Sequence, residues 1–186
     1  MGFRELPKFN DAMLAKQVWR LVKDKTSLFH RFFKEKFFPK GYIFTAKEGS
    51  GSFAWRSILK GREVIKKGAQ WRVGNGESIL IYQDKWLPNP QCNTIQSPPI
   101  FFGCDAEVSV LIDKERGCWI DNAIDNNFLA HKAEVIKSIP LCFTGADDKL
   151  YWPSKVDRAY SVKVGYRLLV EDELSPSVGP LPTPHP

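Results

Sequence analysis

The sequence predicts an α+β chain: a basic, mostly helical first part closed by a β-hairpin, then a small mixed module and a disordered, proline-rich tail. Three observations carry this. Apolar residues recur at helical spacing through most of residues 10–67. The period then switches to two around an Asn-Gly dipeptide. The last thirteen residues, from Leu174, contain five prolines and cannot build a packed core. The expected organisation is a basic helical portion with its closing hairpin over 1–88, a linker over 89–104, a small α+β module over 105–171 and a tail over 172–186.

The first helix is expected to be capped by Asn10 or Asp11 and to run to about Asp24. Leu14, Val18 and Leu21 mark its apolar stripe, widened by Ala15, Trp19 and Val22. Thr26 or Ser27 caps a second helix, with Leu28, Phe29, Phe32, Phe33 and Phe37 as its core face. His30, Arg31, Lys34 and Lys36 cover the other side, and Pro39-Lys40-Gly41 ends it. After the flexible Gly49-Ser50-Gly51-Ser52, Ser52 caps a third helix over 53–67, with Trp55, Ile58, Leu59 and Ile65 inward. Gly61 inside it marks either a close packing contact or a bend, and Gly68 fits a C-terminal cap.

Residues 70–73 and 78–82 read as two strands of a hairpin turned at Gly74-Asn75-Gly76. Residues 88–104, rich in Pro, Asn and Gln, read as a loop. Val108 to Ile112 forms a short strand or a turn of helix. A helix capped by Asp121 runs to Ser138, burying Phe128, Val135 and Ile136, and Pro140 ends it. Lys149 to Trp152 and Tyr160 to Val164 read as a second hairpin, followed by a short helix over 165–171.

Of the 186 residues 43% are hydrophobic and 13% aromatic, enough for a core. No apolar run approaches the roughly 18 residues of a membrane span, so no membrane partner is expected. The N-terminus lacks the apolar stretch of a secretory signal. The net charge of +6 is uneven: residues 1–90 carry 18 Lys+Arg against 8 Asp+Glu, a net of +10, and residues 91–186 carry 9 against 13, a net of −4. A basic half joined to an acidic half points to a polyanion partner, an RNA or DNA backbone. Cys92, Cys104, Cys118 and Cys142 stand far apart, with no histidine beside any of them, so no zinc site is expected. They read as reduced, buried small hydrophobes.

No catalytic constellation is visible. The adjacent acids Asp147-Asp148 lie in Gly-Ala-Asp-Asp-Lys, without the flanking residues of a polymerase turn or a third carboxylate for two-metal chemistry. Glu171, Asp172 and Glu173 read as a solvated helix end. The glycine-rich 49–52 segment lacks the Gly-Lys-Ser/Thr of a phosphate loop. No catalytic residue, metal ligand or cofactor is therefore assigned. The strongest constellation is basic: Arg56, Lys60, Arg62, Lys66 and Lys67 along the third helix, followed by Trp71 and Arg72. Cations track phosphates. For Trp71 two readings stand side by side, an exposed ring stacking on bases and a buried ring in the core.

The order of these residues resembles a known family. Gly2-Phe3-Arg4-Glu5-Leu6 and Phe9-Asn10-Asp11-Ala12-Met13-Leu14-Ala15-Lys16-Gln17-Val18-Trp19-Arg20-Leu21 resemble a block of plant LINE-type (non-LTR) retrotransposon polyproteins. Trp55-Arg56-Ser57-Ile58-Leu59, Gly61-Arg62-Glu63, Trp71-Arg72-Val73-Gly74-Asn75-Gly76, Asp84 and Trp86-Leu87-Pro88 continue it in order. Ile139-Pro140-Leu141, Asp148, Leu150, Trp152, Tyr160-Ser161-Val162-Lys163 and Gly165-Tyr166 match the next block. The resemblance covers about residues 2–170. Two positions depart from it: Tyr82 where a Trp is frequent, and Arg158 where a turn glycine is usual.

The resemblance implies a thumb-like or connector region of a reverse-transcriptase polyprotein, after the palm and before the zinc-binding and RNase H parts. The parent would be an RNA-directed DNA polymerase of the nucleus or cytoplasm. None of its catalytic residues falls in this chain, so the piece by itself is not expected to be an enzyme. Its expected role is sequence-nonspecific template–primer binding beside other parts of the parent polyprotein. The rival readings are a protein-interaction scaffold and a non-functional pseudogene remnant.

Overall fold

Pro7 decides where the first helix begins. In the computed structural model, which describes residues 5–39, 41–46, 51–88, 93–99, 101–141, 145–153 and 158–174, α1 spans Leu6–Lys23 with a proline in its first turn. A proline there gives up an N–H that no intrahelical carbonyl would have used. The helix therefore starts ahead of the Asn10 or Asp11 cap expected from sequence. Arg20 and Lys23 occupy its last turn, the end that favours cations.

The second helix, α2 (Leu28–Phe37), starts at the expected cap, where Ser27 Oγ accepts the His30 N–H at 3.2 Å. Its buried face is rotated from the expected one. Leu28 and Phe32 are exposed, at 78% and 54%, whereas His30 is buried with Nδ1 2.6 Å from the Leu21 carbonyl oxygen. That carbonyl belongs to the last turn of α1, where no amide of the helix can reach it, so the imidazole supplies the missing donor. Phe33 and Phe37 stack on Trp55, with centroids 5.7 and 4.6 Å away.

Helix α3 (Phe53–Gly68) is capped by Ser52, whose Oγ accepts the Trp55 N–H. Gly61 serves close packing: a Cβ there would lie 2.4 Å from the Ala15 backbone nitrogen. Gly68 is the last helical residue and not a cap beyond it. A Cβ at Gly68 would strike the Trp152 ring, and Ala69 closes the helix through its N–H to Ile65.

Neither predicted hairpin forms. Strand β1 (Gln70–Arg72) pairs antiparallel with β4 (Lys149–Tyr151), in the register Gln70↔Tyr151, Trp71↔Leu150 and Arg72↔Lys149. Residues 79–81 turn instead toward 106–108, where Ile81 donates to Ala106 and Ile79 accepts from Val108, both at 2.9 Å. Between them, the loop at 74–78 wraps a buried carboxylate: Asp148 Oδ1 accepts the Gly74 and Gly76 N–H groups and Oδ2 that of Ser78. The Asn-Gly signal thus marks a turn held by a distant side chain.

A 3₁₀ turn at Val108–Leu111 leads into β2 (Ile112–Asp113), paired with β3 (Cys118–Trp119). The single helix expected over 121–138 is two, α4 (Asp121–Asn127) and α5 (Ala130–Lys137), with Ile120 and not Asp121 at the first N-cap. Phe128 breaks them by taking extended backbone (φ −130°, ψ 151°) to bury its ring. Tyr160 to Val164 is not a strand. Helix α6 (Val162–Leu174) begins there, replaces the short helix expected over 165–171 and takes in residues 172–174 of the expected tail. The rest of that tail lies outside the described residues.

Helix α6 docks on α1 through a tyrosine. Tyr160 Oη donates to the Ala12 carbonyl at 2.8 Å, and a Cβ at Gly165 would collide with that ring. Burial pushes the phenol pKa up and keeps it a donor. Trp19, Trp152 and Tyr160 cluster beside it, joining both ends of the described chain in one core. Cys104 and Cys118 are exposed thiols, contrary to the expected burial, and Cys92 and Cys142 lie outside the described residues. Among the described residues no helix is long and apolar enough to cross a membrane.

Candidate nucleic-acid interface

At about 100° per residue, positions 56, 60, 63 and 67 of α3 fall within roughly 60° of one another. Opposite them Trp55, Ile58, Leu59, Val64 and Ile65 are buried, so the row faces solvent. Arg56, Lys60 and Lys67 are exposed. Arg56 and Lys60 make no ion pair among the described residues. Glu63 lies in the same row with Lys66 3.9 Å away, and Lys67 pairs with Asp172 of α6. The row is cationic at its N-terminal end and partly neutralised at its C-terminal end.

Two residues singled out from sequence have other work. Arg62 points back along the fold: its side chain is 11% exposed, and Nη1 donates to the Ala46 carbonyl at 2.8 Å. A guanidinium spent on backbone carbonyls is a clamp and not a phosphate contact. Trp71 is 7% exposed, with Phe44 edge-on at 6.0 Å, and its backbone N–H goes to Lys85. Of its two readings the buried one holds, because a ring enclosed on β1 has no free face for a base.

Arg72 is exposed on the outer face of the β1–β4 sheet, directly opposite Lys149. There it lines a groove with Lys23, Lys149 and Arg158, none of them on α3. Lys23, Lys149 and Arg158 escaped the sequence reading because the fold, and no spacing, gathers them. The one usable signal was strand alternation, which turns Arg72 outward when Trp71 is inward.

The two adjacent acids split between two environments. Asp147 sits at the surface against Lys25 at 2.9 Å, and that ammonium holds its carboxyl below the usual range. Asp148 is spent on the loop it closes. Asp84 accepts the Leu80 N–H at 2.7 Å, and burial raises its pKa. At the end of α6, Asp172 and Glu173 pair with Lys67 and Lys8. Among the described residues no three His, Cys, Asp or Glu side chains converge as a metal site would require.

Comparison with known proteins finds two Arabidopsis thaliana relatives. The chain is 29% identical over 183 residues to "Putative ribonuclease H protein At1g65750", a match that takes in 94% of this chain and 29% of that protein. It is 35% identical over 88 residues to "Uncharacterized mitochondrial protein AtMg00310", covering 47% of this chain and 57% of that protein. The chain thus spans less than two thirds of either relative's length. No family model matches, and no solved structure matches.

Proposed function

We propose that this chain is a non-catalytic piece of a plant retroelement polyprotein, from the region between the reverse-transcriptase palm and the RNase H part, and that it binds nucleic acid without sequence preference. The ordered blocks described above and the similarity to a protein named for ribonuclease H both support the origin. The observation that carries the binding role is the solvent row of α3, in which Arg56 and Lys60 have no carboxylate partner among the described residues, inside a half of the chain with a net charge of +10. Such a row meets phosphates and reads no bases. Its partners are an RNA or DNA backbone and other parts of the parent polyprotein.

The test is a salt titration of the full chain against labelled duplex. If Arg56, Lys60 and Lys67 each meet one phosphate, with Lys67 leaving Asp172 to do so, log affinity falls with log salt with a slope of about −3. Changing Arg56 and Lys60 to Gln should flatten that slope by about two units, equally for unrelated sequences. A folded chain that fails to bind duplex at about 50 mM salt would instead favour a protein-interaction scaffold.

A further inference from the structure

The outer face of the β1–β4 sheet forms the floor of a groove of about 890 Å³. Among the described residues four cations line it: Lys23 from the last turn of α1, Arg72 from β1, Lys149 from β4, and Arg158 from the segment before α6. Among the described residues no Asp or Glu lines it, and none of the four makes an ion pair. In a chain whose other lysines repeatedly find carboxylates, this is a concentration of uncompensated charge. Arg72 and Lys149 are directly opposed across the two strands, an arrangement that costs stability because like charges repel. Lys23 lies over the Trp19 ring at 5.3 Å, and burial, with Lys149 nearby, depresses its pKa. A groove whose described lining holds four cations and no acid is poised for an anion.

The rest of the lining says which anion. Tyr151 stands on the same sheet face as Arg72 and Lys149, is half-buried, and offers an aromatic surface in the groove. Trp19, Trp86, Pro88 and Ile139 give the walls apolar surface. Compact di- and triphosphates are held by backbone N–H groups of a glycine-rich loop or a helix N-terminus. Among the described residues this groove has neither, and α1 presents its C-terminal turn. Long cationic side chains around an aromatic face suit a polymer whose phosphates are spaced and whose bases can splay. A volume of this order, within the roughly 300–1,000 Å³ of small-ligand clefts, admits a few nucleotides and not a duplex.

We infer that the groove over β1 and β4 is a single-strand site, in which Lys23, Arg72, Lys149 and Arg158 meet the phosphates of one RNA or DNA strand and Tyr151 stacks on a base. It rests on the proposed nucleic-acid role and adds a second, strand-selective surface to the duplex-binding row of α3.

The experiment compares the full chain with Arg72→Gln/Lys149→Gln, Tyr151→Leu and Arg56→Gln/Lys60→Gln. Each is titrated at about 50 mM salt with labelled twelve-nucleotide dT and rU strands and with a twelve-base-pair duplex, and each is melted. The Arg72/Lys149 variant should lose strand affinity at least tenfold, and its salt slope should flatten by about 1.4, at about 0.7 per phosphate contact on a single strand. Its duplex binding should hold. Its melting temperature should stay level or rise, because a like-charge pair is gone and Trp71 and Leu150 remain buried. Tyr151→Leu should cost about five- to a hundredfold on strands. The α3 variant should show the reverse pattern. Strand binding unchanged in the Arg72/Lys149 variant, or competition by a nucleoside triphosphate as effective as by the strand, overturns the single-strand site alone. Loss of duplex binding by the wild-type chain overturns the reading of α3, and absence of both kinds of binding overturns the two together.

Discussion

The Asp148 carboxylate is the centre around which the loop at Gly74 is built: Oδ1 accepts the Gly74 N–H at 2.7 Å, across 74 residues of sequence. Gly76 and Ser78 add two more backbone donors at 2.9 and 2.8 Å. A Cβ at Gly74 would lie 2.1 Å from the Ala146 carbonyl oxygen, so the two segments touch backbone to backbone. This contact sets the register in which β1 meets β4, and with it the opposition of Arg72 and Lys149.

Asp148→Ala strands three backbone donors, of which those of Gly74 and Gly76 are buried. At about 1–3 kcal/mol for each buried group left unpaired, the variant should lose about 3–5 kcal/mol in urea unfolding. Asp148→Asn keeps an acceptor for Gly74 and Gly76 but turns an NH₂ toward the Ser78 N–H, and should lose about 1–3 kcal/mol. Asp147→Ala, one residue away, should change stability by no more than about 0.5 kcal/mol, because its partner Lys25 is exposed. Equal losses at 147 and 148 would contradict this division of roles.

The same contact shows why α2 and α3 were legible in the sequence and the sheet was not. Ser27 and Ser52 cap helices whose apolar stripes lie within a few residues of them, so the code for α2 and α3 is local. Gly74-Asn75-Gly76 looks locally like a hairpin turn, yet the carboxylate that shapes it and the strand that pairs with β1 both lie more than 70 residues on. Arg62 shows the same limit at the candidate interface. Its position on a basic helix was readable, and its engagement with the Ala46 carbonyl was not. His30 was misplaced for a related reason: a carbonyl in the last turn of α1 needed a donor, and periodicity carries no record of that need.

Asp84 makes stability depend on pH in a predictable direction. Burial, the largest effect on it, raises its folded pKa above the ordinary 3.8, against the Leu80 N–H and the Lys66 charge, which lower it. A carboxyl raised on folding binds its proton more tightly in the folded chain. Its contribution is therefore fully present below the unfolded pKa and is lost as pH rises through the folded one. Asp84→Asn retains an acceptor for the Leu80 N–H and cannot ionise. In urea unfolding the variant should gain stability relative to wild type as pH is raised from about 3.5 to 7. A difference that stays flat or runs the other way would show that Asp84 is not held above its ordinary value.

Arg158 sits at φ +48°, in the left-handed region, where the resemblance places a glycine. Its carbonyl accepts the Trp152 N–H at 3.0 Å, so this hydrogen bond back to the residue after β4 depends on the backbone geometry of Arg158. A non-glycine residue there costs roughly 1–2 kcal/mol, and glycine pays back part of that in unfolded-state entropy. Arg158→Gly should therefore stabilise the fold by about 0.5–1 kcal/mol, raising the melting temperature by about 1–4 °C for a chain of this size. The same substitution removes one of the four groove cations. It should weaken strand binding and flatten the salt slope by about 0.7 while leaving duplex binding on α3 unchanged. Stability and strand affinity would then move in opposite directions from a single residue, as expected where a strained backbone is retained for the side chain it presents. A more stable variant with undiminished strand binding would mean that the arginine at this turn is strain without a use, and that Lys23, Arg72 and Lys149 hold the strand without it.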